Sequence, residues 1–243
     1  MKHIIFSALT SILVASSTSA YASVSDYEAI HTASIHGDVL KMETLCQKLA
    51  PQNDDTTDLY LAAYCEYRLA YAGMGRLNDP AVKAKASAAL TRSSKQLQRL
   101  LKSDGDKKAD GLALLTLVYG AQIHLDPSKA AELGRKAWGT AKEAESIAPS
   151  NPHVQFAKAG NLLFTPPAYG GDLAAAAKAL ELAKLAYPAQ PTADNWGLDD
   201  VHMYSAIVHM EAKQYALAKT EFEQVLAISP EHGWALHQLK QLP

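Results

Sequence analysis

Ala218-Lys219-Thr220-Glu221-Phe222-Glu223-Gln224-Val225-Leu226-Ala227-Ile228-Ser229-Pro230 is the stretch that decides the fold. Ala218, Phe222 and Val225 fall at i, i+4 and i+7, which places them on one face of a helix. Pro230 then stops the helix, because a proline pushes the residue before it out of the α region. The spacing recurs as Ala137, Ala141, Ala144 and Pro149, and again as Ala176, Leu180, Ala183 and Pro188. A looser copy, Ser93, Leu97, Leu100 and Gly105, lacks the proline. A helical face that returns along a chain is the mark of stacked like units.

Working outward, each such helix has a start signal. Asp79-Pro80 and Asp126-Pro127 pair an N-cap with a proline at the first helical position, and Asp172 caps another start. With the start near Gln214, the steps are 47, 46 and 42 residues. The helix preceding each second helix is also legible: 57–73, then 109–124, then one opening at Asn151-Pro152, then one from Trp196 to Glu211. The 109–124 segment is apolar all round, so it is expected at the centre. Ser25-x-x-Glu28 reads as a capping box opening the first helix, which stops near His36-Gly37 before Asp38 caps the second. The units run 25–51, 56–105, 109–149, 151–188 and 195–230, with a terminal helix at 232–241. The expectation is an all-α stack of antiparallel helix pairs, each burying its face on its neighbours.

Composition removes several function classes. Lys and Arg number 23 against 25 Asp and Glu. That near-neutral balance gives no basic footprint for nucleic acid and no polybasic stretch for an anionic membrane. Residues 1–22 read as a secretory signal: Lys2, the apolar run Ile4 to Ala15, and the cleavage motif Ala20-Tyr21-Ala22. The run falls short of the ~20 residues that span a bilayer, and no cysteine follows the motif for lipid attachment. The mature chain, 23–243, is therefore expected as one soluble periplasmic domain without membrane insertion. Export makes a Cys46–Cys65 disulfide chemically possible. Two buried free thiols are the other reading, since unpaired cysteine behaves as a small hydrophobe.

The recurring order of small residue, large residue, small residue and proline resembles the second half of the tetratricopeptide repeat. The last unit matches best, with Ala206, Tyr215, Ala218, Phe222, Val225 and Pro230, and departs at Ser205 and His209. Residues 109–243 resemble a group of exported bacterial tetratricopeptide proteins. The shared features are Asp126-Pro127, the Pro149-Ser150-Asn151-Pro152 joint, the Pro166-Pro167-Ala168-Tyr169-Gly170-Gly171-Asp172 turn and the closing Leu242-Pro243. The resemblance implies a right-handed solenoid with a concave inner face that binds peptides or partner proteins.

Tyr60, Tyr64, Tyr67 and Tyr71 form one stripe at i, i+4, i+7 and i+11. First helices line the concave face in the resembled fold, so the stripe reads as a binding ladder or as packing against the next helix. Pro166 and Pro167 stiffen a turn in which Gly170 and Gly171 allow positive φ. Tyr169 is then either held out as a contact or folded under. His202 and His209 lie two helical turns, ~10 Å, apart, too far for one metal even with His237 nearby. Asp54-Asp55 and Asp199-Asp200 read as solvated helix starts. No nucleophile, base and orienting group converge, and no phosphate loop or metal motif is present. The expected function is non-enzymatic, without cofactor: a peptide or protein partner on the concave face. The alternative is a periplasmic binder of a small or lipophilic ligand, accessory to a transport or envelope system.

Overall fold

The computed structural model describes residues 24–103, 105–187 and 196–243. The Ile4 to Ala15 run, the Ala20-Tyr21-Ala22 motif, Asp104, Pro188 and the connector Ala189 to Asp194 lie outside the described residues. The described chain is all-helical. Its helices are α1 (Val24–Ile35), α2 (Val39–Lys48), α3 (Thr56–Gly73), α4 (Pro80–Leu100), α5 (Lys108–Leu125), α6 (Ala130–Ile147), α7 (Pro152–Phe164), α8 (Leu173–Ala186), α9 (Leu198–Glu211), α10 (Tyr215–Ile228) and α11 (Gly233–Leu239). None of them is long and apolar enough to cross a membrane.

The start signals act as the sequence suggests. Asp38, Asp79, Asn151 and Asp172 each accept a hydrogen bond from a backbone N–H of the first turn. Such a cap satisfies a donor that the helix cannot pair internally, worth about 1 kcal/mol. Asp55 does the same for α3 through Thr57 and Asp58. Asp126 caps a 3-10 turn, Pro127–Lys129, that feeds α6. Ser25 lies in the first turn of α1, whose first described residue is Val24.

Helices pair as α3 with α4, α5 with α6, α7 with α8, and α9 with α10. The motif face is what each second helix buries. Ala218, Phe222 and Val225 are sealed from solvent, as are Ala176, Leu180, Ala183, Ser93, Leu97 and Leu100. A fully buried Leu or Phe contributes roughly 1.5–3 kcal/mol, so these faces outweigh helix propensity in holding the stack. The mostly apolar α5 packs on α4, α6 and α7 at once, which explains why residues 111–119 are buried on every side. Cys46 of α2 and Cys65 of α3 are bridged, with Cα atoms 5.5 Å apart.

The row of helices does not stay open. Arg68 of α3 contacts Asp200 of α9, and Trp196 contacts Tyr60. His31 of α1 reaches Ser229 at the end of α10, and His36 pairs with Glu231 at 2.8 Å. The N-terminal and C-terminal helices therefore meet, and the inner side of the row is filled by the chain itself.

Candidate functional site

The tyrosine stripe sits in this filled interior. Tyr60 and Tyr64 are fully buried, Tyr67 is 3% exposed and Tyr71 is partly buried. As an exposed ladder the stripe is corrected: α3 packs against α4, α1 and α2, and α9 closes over its remaining face through Arg68 and Asp200. The tyrosines instead form the walls of the interior.

Trp196 lies in the middle of those walls. It precedes α9 and is 5% exposed. Its indole stacks on the His153 ring at 4.5 Å and 16° between planes. It packs against Tyr64 at 4.6 Å and edge-on against Phe156 at 6.4 Å. The indole N–H donates to the Tyr60 hydroxyl at 3.0 Å. The Trp196 carbonyl accepts from the Tyr187 hydroxyl at 2.7 Å and faces His153 Nε2 at 3.1 Å. His153 is fixed in turn by Asp110 at 2.9 Å from its Nδ1. Burial alone would raise the Asp110 pKa. Contacts with His153, Asn151 and Lys107 outweigh it and hold the carboxyl below its ordinary value.

Beside this aromatic group is a buried ionic one. Arg68, 1% exposed, donates from Nη1 to Asp200 at 2.6 Å and from Nε to Ser34 at 3.1 Å. Its Nη2 faces His31 Nδ1 at 3.4 Å. Asp199 accepts from Ser229 at 2.8 Å and lies 3.0 Å from His31 Nε2. Asp199 and Asp200 are thus buried, not the solvated helix start expected of them; α9 begins inside the closed row, where Arg68 and His31 meet its first turn. Burial pushes the Asp200 pKa up despite Arg68. For Asp199 the same burial effect is overcome by His31, Arg68 and Ser229, so its pKa is held low. Burial also lowers the His232 pKa.

Ser229, His31 and Asp199 share a corner. His31 Nε2 faces both Asp199 and Ser229, and the Ser229 hydroxyl is itself donated to Asp199. The trio ties α1 to the start of α9 and the end of α10.

An aromatic run leads from the interior to the surface. Phe156 meets Trp196 on one side and Tyr204 on the other, at 4.8 Å. Tyr204 meets Phe164 edge-on at 5.1 Å, and Phe164 is 60% exposed. Tyr71 bonds to Tyr204, with the Arg68 guanidinium 5.4 Å from the Tyr71 ring centre. Gly160 lets α7 come close here, since a Cβ would stand 3.1 Å from the Tyr204 ring.

Next to Phe164 the Pro166-Pro167 turn behaves as a stiff frame. Gly170 has φ +101° and lies over the Trp138 ring. Gly171 must be glycine, because a Cβ would sit 1.7 Å from the Thr165 carbonyl oxygen. Tyr169 is held out, 77% exposed. Elsewhere a cleft of about 560 Å³ opens between α4, α5 and α6, lined by polar groups such as Lys83, Gln122 and Glu132 together with Leu125 and Leu133. Among the described residues no His, Cys, Asp and Glu cluster could hold a metal.

With this geometry in place, comparison adds a fold relation. The chain is similar in structure to the HusA haemophore from Porphyromonas gingivalis. The TM-score is 0.61 at 20% sequence identity, covering 79% of this chain and 94% of that one. No family model and no curated protein matches the sequence. The all-helical architecture is therefore shared with the haemophore, over nearly all of the haemophore's length.

Trp196, His153, Arg68, His31 and Phe164 escaped the sequence reading. One signal existed for Arg68: it is the lone basic residue in an otherwise mostly apolar helix, 56–73. For Asp199-Asp200 the clue was a doubled acid three residues after Trp196, in the first turn of a helix that is otherwise mostly apolar.

Proposed function

We propose that this chain is an exported, non-enzymatic binder of a small lipophilic ligand with a flat ring system, accessory to a transport or envelope system. The observation that carries the reading is the fold relation to a haemophore, over 94% of that protein. The closed inner face supports it too. An extended peptide would need an open groove along α3, α5, α7 and α9, and the chain's own side chains fill that space. The exposed Phe164, backed by Tyr204, is an aromatic ledge of the kind that takes apolar rings. The buried Cys46–Cys65 bridge fits an oxidising compartment.

The test is retention. Mature protein is mixed with haem, metal-free protoporphyrin and a panel of flat lipophiles, passed through gel filtration, and read by absorbance and titration calorimetry. One-site binding at about 1 μM or tighter, near −8 kcal/mol, is expected for at least one member. A panel that passes through unbound rejects the reading.

A further inference from the structure

We infer that the centre of the helical row is a slot for a flat aromatic ring, which the chain's own Trp196 occupies in this structure. The inference rests on the lipophile-binding reading and locates its deep site.

The slot's walls have their own anchors. His153 is held by Asp110, which also accepts from Asn151, the N-cap of α7. Tyr60 lies on α3 with the Lys107 ammonium 5.3 Å from its ring centre. Phe156 is held by Tyr204. Trp196 contributes the contacts a ligand would make: a stacked face, a second aromatic neighbour, and one edge N–H donated to Tyr60. It belongs to no helix, and the next residue, Gly197, has φ +95°, a backbone state that glycine alone adopts easily.

A second observation points to an occupant other than indole. The Tyr64 hydroxyl is fully buried and has no hydrogen-bond partner. A buried unsatisfied hydroxyl costs about 1–3 kcal/mol. Indole carries only its N–H donor, already given to Tyr60, and offers Tyr64 nothing. A flat ring bearing an N–H at one edge and an acceptor oxygen or nitrogen at another would serve both tyrosines. Packed rings, Phe164, Tyr204 and Phe156, join the exposed ledge to the wall of the slot.

Two measurements test this. In the native chain, the Trp196 indole N–H resonance is assigned by Trp138→Phe and Trp234→Phe variants and followed during titration with the flat ligand that gel filtration retains. Displacement moves that resonance to a solvent-exposed shift with fast hydrogen exchange. In Trp196→Ala, indole itself is the probe: one-site uptake and a rise in Tm are expected, with neither seen in the native chain, as for other apolar cavities left by side-chain removal. A native complex in which the Trp196 N–H stays protected overturns the proposal, as does a folded Trp196→Ala that takes up no indole. Indole uptake by the variant, with a native chain that binds nothing in the panel, keeps the slot and rejects the lipophile-binding function.

Discussion

Removing the Arg68 guanidinium separates two explanations of the closed row. Arg68 is 1% exposed and joins Asp200 at 2.6 Å, Ser34 at 3.1 Å and the face of Tyr71. Arg68→Met keeps much of the volume and deletes the charge. Asp200 is then left buried next to Asp199, two carboxylates without their cation. Breaking a buried pair on one side costs about 3–5 kcal/mol. For a chain of this size that lowers Tm by about 6–20 °C, at about 2–4 °C per kcal/mol. The assay is urea unfolding followed by circular dichroism, run on Arg68→Met, Asp200→Leu and the double variant. The double variant is expected to regain most of the loss, because two apolar groups of similar volume replace a costly ion pair. A loss under about 1 kcal/mol in Arg68→Met, or a double variant showing the plain sum of both losses, refutes the reasoning that these charges are mutually dependent.

Four further outcomes follow from the structure. Replacing Cys46 and Cys65 by serine should cost about 2–4 kcal/mol of stability in urea, since the bridge closes a loop with a sequence separation of 19. Gly171→Ala should destabilise by at least about 1–3 kcal/mol, as its Cβ would overlap the Thr165 carbonyl, whereas Gly139→Ala, with open space around it, should stabilise α6 by about 0.5–1 kcal/mol. Asp110 and Asp199 have depressed folded pKa values, so their contribution is complete above the unfolded value near 3.9 and fades as pH falls toward their folded values. Asp110→Asn should therefore flatten the acid limb of a stability–pH profile, while Asp200, whose pKa is raised, works in the opposite sense. Phe164→Ser should weaken lipophile binding at least tenfold by calorimetry with little change in Tm, because its ring is already 60% exposed.

The all-helical class and several helix starts were legible because they are local, although α9 begins at Leu198 and leaves Trp196 outside it. Ala218, Phe222 and Val225 had only to share a face, and Asp79, Asn151 and Asp172 had only to sit one residue ahead of a helix. The interior was not legible because its partners are far apart in the chain. Nothing near Arg68 announces Asp200, and nothing near Trp196 announces Tyr60 and His153. The repeat pattern even misled at this point, since in an open stack the stripe at Tyr60 to Tyr71 would line a groove. The turn at Pro166 to Gly171 lies between these cases. Its glycines state the geometry, and the outward position of Tyr169 follows from the frame, but the ledge needs Tyr204 from a later helix.

Closure of the row also changes how the chain must fold. An open array of repeats exchanges energy only between neighbours, so it can nucleate at any unit and unravel from its ends. Here His31 waits for Ser229, at a sequence separation of 198, and Arg68 for Asp200, at a separation of 132. Contacts of that range slow folding, since the loop between them must be ordered first. During synthesis the first helices emerge with Arg68 and the tyrosines unpaired. They reach their native environment only after α9 and α10 have been made, which couples both ends of the protein into one cooperative transition.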